Sequence, residues 1–393
     1  MKILAFAQYG SLSGGSNRSF LMVLKYLKEK FGHDIHVVLP EKGALSYELE
    51  KIKIEYDIVP IHEISGVDDY SIRNIYRFLR YKFWSKLDKK SAQNYVKNNS
   101  NIKCDVIYIN DTNTYLGCFI AELLNVPYVW HFRSYVNPKS HYIKESKEVF
   151  KNCSKIIAIS NGMKNILEKN PVIPKNKISM IYNGIPLNKN NSIVDQRNNN
   201  EMHFLQCGRI TEDKGHKDAI LALKILKEKG YSNIYLHIVG STPENIETKY
   251  SKELKDLISK LNLKNQIIFE GTINDMTIFR KKMNGELMCS ICEPFGRVTL
   301  EGMRSGLVVI GSDTGGTPEI INDNITGLLY KQGSPESLSE KIEIVYKNKD
   351  FREKIIRNAI EFSLKNFTPE MNVSMIEKVL KEVIKKNKGN DKI

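Results

Sequence analysis

The 393-residue sequence contains no run of about 20 apolar residues, so nothing in it predicts a membrane-spanning helix. Its first residues have the pattern of a β-strand. They lack the long apolar core and the small-residue cleavage site of a secretory leader. Cysteine is sparse, and the single Cys-x-x-Cys pair, Cys289 and Cys292, has neither a second pair nor a nearby histidine to complete a zinc site. These absences predict a cytoplasmic protein with free thiols.

Acidic residues are outnumbered, 45 against 59 basic ones, which gives a formal net charge of +14. Residues 1–200 carry 29 basic and 18 acidic side chains, a net charge of +11, and the remainder carries 30 and 27, a net charge of +3. A one-sided basic surface predicts an anionic partner, either phosphate groups, an acidic membrane face or nucleic acid. No nucleic-acid-reading motif is present, so we expect no nucleic acid among the partners.

Short β-rich runs alternate with longer segments of helical periodicity, which is typical of a parallel sheet covered by helices on both faces. Helices are predicted over 16–31, 116–124, 217–229 and 369–386. The predicted strands are 2–7, 34–39, 106–110, 128–131 and 155–159, followed by 203–208, 236–239, 267–270, 287–291 and 307–310. We therefore expect an α/β protein with two Rossmann-like domains that face a cleft.

The segment 187–200 is rich in Asn and Lys and poor in large apolar residues, which is typical of a linker. The chain length also suggests two domains. We therefore predict a first domain over 1–186, a linker over 187–200, a second domain over 201–367 and a closing helix within 368–393.

The most informative segment runs from Glu293 to Glu301 and reads Glu-Pro-Phe-Gly-Arg-Val-Thr-Leu-Glu. It follows a predicted strand, turns at Gly296 and enters a helix, so the N–H groups of Val298 and Thr299 have no intrahelical partner. The positive end of a helix is a natural phosphate site. We expect Glu301, in the first helical turn, to accept hydrogen bonds from a ribose diol, and Glu293 to accept them from sugar hydroxyls. Two solvated glutamates beside a capped helix would explain either residue alone, but not the whole arrangement.

Two glutamates separated by seven residues around Pro-Phe-Gly resemble the hallmark of the retaining glycosyltransferases of family 4, which have the GT-B fold. Further motifs resemble the same family in the same order along nearly the whole chain. They are Gly14-Gly15-Ser16 with Arg18, Trp130-His131-Phe132-Arg133, Asn183-Gly184-Ile185, Gly208-Arg209 with Lys214-Gly215-His216, Gly315-Gly316-Thr317-Pro318-Glu319 and Asn324-Ile325-Thr326-Gly327-Leu328-Leu329.

The resemblance implies roles for individual residues of the second domain. Arg209 and Lys214 would neutralise the diphosphate of the sugar donor and so improve the leaving group. Glu301 would hold the ribose. Glu293 and the amides of Phe295 and Gly296 would orient the transferred sugar, beside the helix start at Val298 and Thr299.

In the first domain, the resemblance implies that Gly14 and Gly15 let the N-terminal loop approach the diphosphate or the acceptor. It also implies that His131 lies beside the reacting carbon. Ser134 stands where many family members have Glu, so no acceptor role is implied there. The closing helix of the family crosses back to the first domain.

The implied activity is retaining transfer of a hexose-type sugar from a UDP- or GDP-sugar to a glycan or lipid-linked acceptor, in surface polysaccharide synthesis. The implied mechanism is front-face substitution, in which the departing phosphate oxygen takes the acceptor proton. No two Asp residues stand two positions apart, so the Asp-x-Asp pair of metal-dependent transferases is missing and we expect neither metal nor cofactor. The alternatives are a nucleotide-sugar epimerase of the same fold and a non-catalytic glycosyltransferase-like binding subunit.

The segment 72–90 has the pattern of a basic amphipathic helix with aromatic residues. One stripe is apolar: Ile72, Ile75, Tyr76, Leu79, Phe83 and Leu87, widened by Phe78 and Trp84. The other positions include one acidic residue, Asp88, and seven basic residues: Arg73, Arg77, Arg80, Lys82, Lys86, Lys89 and Lys90. Such helices occur at anionic membrane surfaces, which would make the protein peripheral on the inner face of the cell membrane. A helix that packs on the core with a solvated basic face fits equally well.

Overall fold

The computed structural model describes residues 1–12, 14–62, 72–112, 114–135, 147–186, 201–242 and 245–390, without the side chains of 72–78, 80, 81 and 390. The chain divides into two compact units, Met1–Pro186 with Pro369–Ile393, and Leu187–Thr368. The predicted linker, 187–200, lies outside the described residues. No helix in the described ranges is long and apolar enough to cross a membrane.

In its described part, the first unit contains a seven-stranded parallel sheet with the order β3-β2-β1-β4-β5-β6-β7. The strands are β1 (Lys2–Phe6), β2 (Asp34–Leu39), β3 (Glu55–Ile58), β4 (Val106–Asn110), β5 (Tyr128–Phe132), β6 (Lys155–Ala158) and β7 (Ile178–Met180). The helices are α1 (Gly15–Glu29), α2 (Ala44–Lys51), α3 (Ile72–Asn98), α4 (Tyr115–Leu124), α5 (Lys147–Asn152) and α6 (Asn161–Glu168).

The central strands of this sheet are apolar on both faces because helices cover both. Along β1, Leu4 and Phe6 belong to one apolar cluster, and Ile3 and Ala5 belong to the other. This alternation follows from the two-residue period of a strand. It explains why these strands read as continuous apolar runs in the sequence.

The second unit repeats the plan with a six-stranded parallel sheet in its described residues, ordered β10-β9-β8-β11-β12-β13. The strands are β8 (Met202–Cys207), β9 (Ile234–Val239), β10 (Ile267–Gly271), β11 (Gly285–Met288), β12 (Val308–Ser312) and β13 (Leu328–Tyr330). The helices are α7 (His216–Glu228), α8 (Lys249–Lys260), α9 (Met276–Arg280), α10 (Arg297–Arg304), α11 (Thr317–Ile320), α12 (Pro335–Lys347) and α13 (Lys349–Asn366). The predicted fold class, two Rossmann-like α/β units, is confirmed.

The closing helix α14 (Pro369–Asn390) packs within the first unit. Its apolar face joins the cluster that contains α1 and one face of β1, through Val373, Ile376, Val379, Leu380 and Val383. A buried contact also fixes it, because His33 Nε2 lies 2.9 Å from Glu377 Oε1. The helix predicted from residue 369 is present and begins there, after the preceding helix ends at Asn366.

Helix α3 differs from the predicted amphipathic pattern. Asp88, placed on the polar side by the sequence, is fully buried, and its Oδ1 lies 2.6 Å from Nδ1 of His62. Leu79 and Phe83, placed in the apolar stripe, are each 59% exposed. The stripe was wrong at these positions because the helix turns the face that contains Asp88 towards the core.

Candidate active site

The candidate residues of the second unit lie where its strand order reverses, between β8 and β11. In open α/β sheets, ligands bind beyond the carboxyl ends of the strands at this reversal. The loop after β8 contains Lys214, and the loop after β11 contains Glu293. Lys214 Nζ donates to Glu293 Oε2 over 2.8 Å, and Ser290 Oγ donates to the same oxygen over 3.1 Å. Two residues that are 79 positions apart thus form one ion pair at the reversal.

Glycines hold these loops together at distances that side chains would forbid. Gly215, at φ +65°, packs against the backbone of Cys289 so closely that a Cβ would stand 2.0 Å from the carbonyl oxygen. On the other side, a Cβ on Gly315 would stand 2.5 Å from the carbonyl oxygen of Glu293. The N–H of Gly316 donates to that oxygen over 2.7 Å. The sequence indicated these glycines as family motifs, but gave no sign that they clamp the Glu293 loop from both sides.

Helix α10 begins just beyond Glu293, with Gly296 as its N-cap at φ +100°. The amides of Val298 and Thr299 lie in the first turn, where helix geometry leaves N–H groups without intrahelical partners. Phe295 is 2% exposed and stacks edge-on with Phe367, so it anchors the turn in the core. The helix start is therefore held rigidly and can accept an anion.

Glu301 was predicted in the first turn of this helix, which is wrong: it is the fifth residue of α10, and the first turn contains no acidic residue. The carboxylate of Glu301 pairs with Arg280 over 3.1 Å and with Arg297 over 3.4 Å. Its side chain is 24% exposed, which leaves one side open to a ligand.

Arg209 follows Gly208 at the end of β8 and is exposed. Within the described residues its guanidinium makes no ion pair within 4.0 Å. Lys214, by contrast, already serves Glu293. The two cations predicted at the diphosphate therefore differ: Arg209 is open to solvent, whereas Lys214 is bound to the carboxylate of Glu293. Their role in donor binding stays a prediction.

In the first unit, Gly14 is the N-cap of α1, and Gly15 is the first residue of that helix. Both are exposed. Nothing in the described residues comes within 4 Å of a Cβ built on Gly14, and its φ of −98° suits any residue. The protein itself therefore does not require glycine at position 14. Close approach of a ligand, as predicted, remains a reason for it.

His131 lies on β5 and is completely buried. Its Nδ1 is 2.7 Å from the hydroxyl of Tyr108 and 3.2 Å from Nη2 of Arg133. Because a guanidinium only donates, Nδ1 must accept, and the ring hydrogen resides on Nε2. Nε2 is buried and has no partner among the described residues. Burial, together with the charge of Arg133, holds the pKa of His131 well below its usual value, so the ring is a neutral donor.

Arg133 connects this histidine with the rest of the sheet edge. Its Nε donates to Asn110 over 2.7 Å, and its Nη1 donates to Asn183. Asn110 in turn donates to Asn17, close to the start of α1. Of this buried network, only His131 was assigned a role from the sequence, and Arg133 and Asn183 were named only as parts of family motifs. Tyr108 and Asn110 appeared there only as members of an apolar strand, because spacing along one strand does not reveal a partner on the next.

The cysteines and the potential metal ligands form no second centre in the described part of the chain. Burial raises the pKa of the Cys289 thiol to about 12, so it is protonated and unreactive at neutral pH. None of the six cysteines forms a disulfide bond. No group of three or more His, Cys, Asp or Glu side chains within the described ranges could hold a metal ion. Metal independence stays a prediction.

Two family profiles match consecutive parts of the chain. The profile described as Glycosyltransferase Family 4 matches residues 13–189, and the one described as Glycosyl transferases group 1 matches residues 188–362. The chain belongs to glycosyltransferase family 4. It is therefore a glycosyltransferase, as the sequence motifs predicted.

The similar proteins agree with this assignment. The transferase is 27% identical over 343 residues to an uncharacterized glycosyltransferase of Methanocaldococcus jannaschii, covering 80% of this chain and 84% of that one. It is 26% identical over 245 residues to the capsular polysaccharide biosynthesis glycosyltransferase CapM of Staphylococcus aureus, covering 60% and 63%. The crystal structure of Anabaena HepE in complex with UDP and glucose has the same fold, with a TM-score of 0.75 at 20% identity, covering 97% and 100%.

Proposed function

We propose that this family 4 enzyme is a retaining hexosyltransferase that takes its sugar from a nucleoside diphosphate sugar. The observation that carries the proposal is the arrangement at the strand-order reversal of the second unit. There the Lys214–Glu293 ion pair lies at one end of the glycine-clamped loop, and the start of α10 lies at the other. This arrangement offers positive charge for a diphosphate next to a carboxylate for sugar hydroxyls.

Charge stabilisation of the departing diphosphate is the central task of such a site. The amides of Val298 and Thr299 and the exposed Arg209 supply fixed positive charge. Lys214 has three donor hydrogens and uses one on Glu293, so it can bind a phosphate oxygen while it fixes the Glu293 carboxylate. The protein can thus place positive charge at the diphosphate without a metal ion. We propose that the enzyme needs no metal.

His131 supports catalysis in this proposal as a hydrogen-bond donor and not as a base. Its Nδ1 is occupied by Tyr108 and Arg133, and its Nε2 hydrogen is left for a substrate oxygen. A histidine with a depressed pKa stays neutral through the physiological range, so its contribution does not change with pH there.

Two of the similar proteins support the choice of substrates. Anabaena HepE was crystallised with UDP and with UDP-glucose, which favours a UDP-hexose as the first donor to test. CapM of Staphylococcus aureus is named for capsular polysaccharide biosynthesis, which favours a glycan or lipid-linked acceptor in surface polysaccharide synthesis.

The test is a panel of UDP- and GDP-hexoses, scored for binding and for hydrolysis or transfer. We expect one donor to bind, and Lys214→Ala, Arg209→Ala and Glu301→Ala each to weaken binding or turnover about tenfold to a hundredfold, as for a lost charge-assisted contact. An epimerase would instead interconvert sugars with no acceptor. A binding subunit would bind but never turn over. If all three variants bound and turned over the donor as the wild type does, the assignment of these residues to the donor site would be wrong.

Metal dependence and stereochemistry test the finer claims separately. We expect activity to survive EDTA, and the anomeric configuration of the product to match that of the donor by NMR. Loss of turnover on chelation, restored by Mg²⁺ or Mn²⁺, would contradict metal independence. An inverted product would contradict retention.

We also propose that α3 holds the enzyme at an anionic membrane surface. Leu79 and Phe83 are each 59% exposed on this helix, and Lys86 and Lys90 are exposed beside them. Two apolar side chains among cations match the chemistry of an acidic lipid interface. Each cation near such a surface contributes about 1 kcal/mol, so a few suffice for reversible binding.

Vesicle sedimentation tests this proposal. We expect binding to phosphatidylglycerol vesicles, little binding to phosphatidylcholine vesicles, and weakening by salt. Leu79→Ser/Phe83→Ser should reduce binding, whereas Tyr47→Ser, which removes a 60% exposed side chain elsewhere in the first unit, should not. Equal binding to both kinds of vesicle, or none to either, would contradict the proposal.

A further inference from the structure

Three charged side chains meet below the start of α10 in the second unit. Arg280, the last residue of α9, donates from Nε and Nη2 to the two carboxylate oxygens of Glu286 on β11, each over 3.1 Å. The same Nη2 lies 3.1 Å from Oε2 of Glu301. The side chains of Arg280 and Glu286 are 5% and 1% exposed, whereas that of Glu301 is 24% exposed. A buried ion pair therefore supports a carboxylate that faces solvent.

Glu286 fixes the position of this pair. It lies on a central strand, and Gly302 of α10 packs directly on it, since a Cβ there would stand 2.4 Å from Oε2. Burial raises the pKa of Glu286, although Arg280 opposes the shift. A buried carboxylate is costly unless it is paired, so the guanidinium must remain in this position whether or not a ligand is bound.

This fixed guanidinium limits what Glu301 can do. Its Oε2 is bound by Arg280, and its Oε1 lies 3.4 Å from Nη2 of Arg297. A carboxylate has about four acceptor sites, so each oxygen retains one. The side chain of Glu301 is 24% exposed, so its carboxylate is accessible to a ligand. Two neighbouring acceptors at a fixed spacing match two neighbouring hydroxyls, such as the 2′- and 3′-hydroxyls of a ribose.

We propose that Arg280, anchored by Glu286, is a positioning residue that makes this enzyme selective for ribonucleotide donors over deoxyribonucleotide donors. The inference rests on the proposed function, because it takes Glu301 as the group that binds the ribose. Arg280 contacts no substrate. It acts by holding Glu301 in the one orientation in which both free acceptor sites meet the diol. Without this restraint the carboxylate would turn away from that orientation, and the preference for the ribonucleotide would weaken.

The experiment compares dissociation constants for UDP and 2′-deoxy-UDP, and for GDP and 2′-deoxy-GDP, by calorimetry. The wild type should bind its preferred ribonucleotide about tenfold or more tightly than the deoxy form, the value of a charge-assisted hydrogen bond. Arg280→Lys retains a charge for Glu286 but cannot reach both carboxylates with planar geometry, so this ratio should fall below about threefold. Deoxynucleotide affinity should change little.

Two further variants separate positioning from simple destabilisation. Arg280→Met/Glu286→Met removes the buried pair as a whole, a change that proteins often tolerate, and should also lose the selectivity. Arg304→Lys is the matched control, because Arg304 is another buried arginine of this unit whose Nη2 donates to the carbonyl oxygens of Ser363 and Phe367. Arg304→Lys should lower the unfolding midpoint but keep the wild-type ratio of deoxyribonucleotide to ribonucleotide dissociation constants.

The outcomes distinguish the inference from the proposed function. If the wild type and Arg280→Lys show the same ratio, the positioning role is overturned while the donor site stands. If Glu301→Ala also keeps the wild-type ratio, Glu301 does not bind the ribose and the inference fails for that reason. If the wild type binds neither UDP nor GDP, the proposed donor class fails, and the inference fails with it.

Discussion

Replacement of Gly215 by alanine tests whether the loops of the second unit are as tightly joined as their distances indicate. Gly215 has φ +65°, a conformation that costs an L-residue about 1–2 kcal/mol. The added Cβ would stand 2.0 Å from the carbonyl oxygen of Cys289, a full 1 Å inside the 3.0 Å limit that Cβ atoms respect. Neither partner is the flexible end of a side chain. Forced overpacking of this kind costs about 1–3 kcal/mol, so the total loss should be about 2–5 kcal/mol.

The displacement should also reach the candidate site. Lys214 directly precedes Gly215, and its Nζ lies 2.8 Å from Glu293, so a shift of 1 Å would lengthen that ion pair beyond hydrogen-bonding distance. We therefore expect Gly215→Ala to lower both the free energy of unfolding in urea and the affinity for the nucleotide-sugar donor, the latter by about tenfold.

The same helix offers a matched control at its other end. Gly230 follows α7 at φ +94°, and nothing lies within 4 Å of a Cβ built there. Gly230→Ala therefore introduces backbone strain without a clash, and it should cost about 1–2 kcal/mol and leave donor affinity unchanged. If Gly215→Ala were no more destabilising than Gly230→Ala and bound donor normally, the close approach at Cys289 would not hold the site together.

Two further predictions concern the interiors of the units. Burial lowers the pKa of His216 to about 4, below the unfolded value of about 6.5, so the neutral ring contributes about 3 kcal/mol of stability above pH 6.5 that is lost as the pH falls towards 4. His216→Leu should flatten this part of the urea-midpoint profile, and an imidazole that titrates near pH 6.5 in the folded protein by NMR would contradict the argument. In the first unit, Leu380→Ala should lower the free energy of unfolding by about 2–5 kcal/mol because Leu380 is fully buried. Met375→Ala, at a 47% exposed position of the same helix, should lower it little. Equal effects in chemical unfolding would mean that α14 does not contribute to the core.

The strands that the sequence predicted best are the central ones. Val106–Asn110 and Asp34–Leu39 have the predicted bounds, because both faces of such strands are buried and the apolar run is continuous. The strands that were missed, Glu55–Ile58, Ile178–Met180 and Leu328–Tyr330, are the edge strands β3, β7 and β13. They are three or four residues long, and all three contain half-buried or exposed positions. Short edges carry too little periodicity to be separated from loops.

The candidate site shows a second limit of prediction from sequence: a motif gives the positions of charged residues but not their ion-pair partners. A motif gives the spacing of Glu293 and Glu301 along the chain, but their ionic partners come from elsewhere, Lys214 from 79 residues earlier and Arg280 from another helix. Charged residues occur at many positions in a basic chain, so the sequence alone cannot say which of them the fold brings together. The partners decide what each carboxylate can do. A ligand that binds the Glu293 carboxylate also comes close to the lysine that is paired with it. The carboxylate of Glu301 is held in one orientation by a buried arginine. The two glutamates therefore differ in their chemistry because of residues that lie outside the Glu293–Glu301 motif.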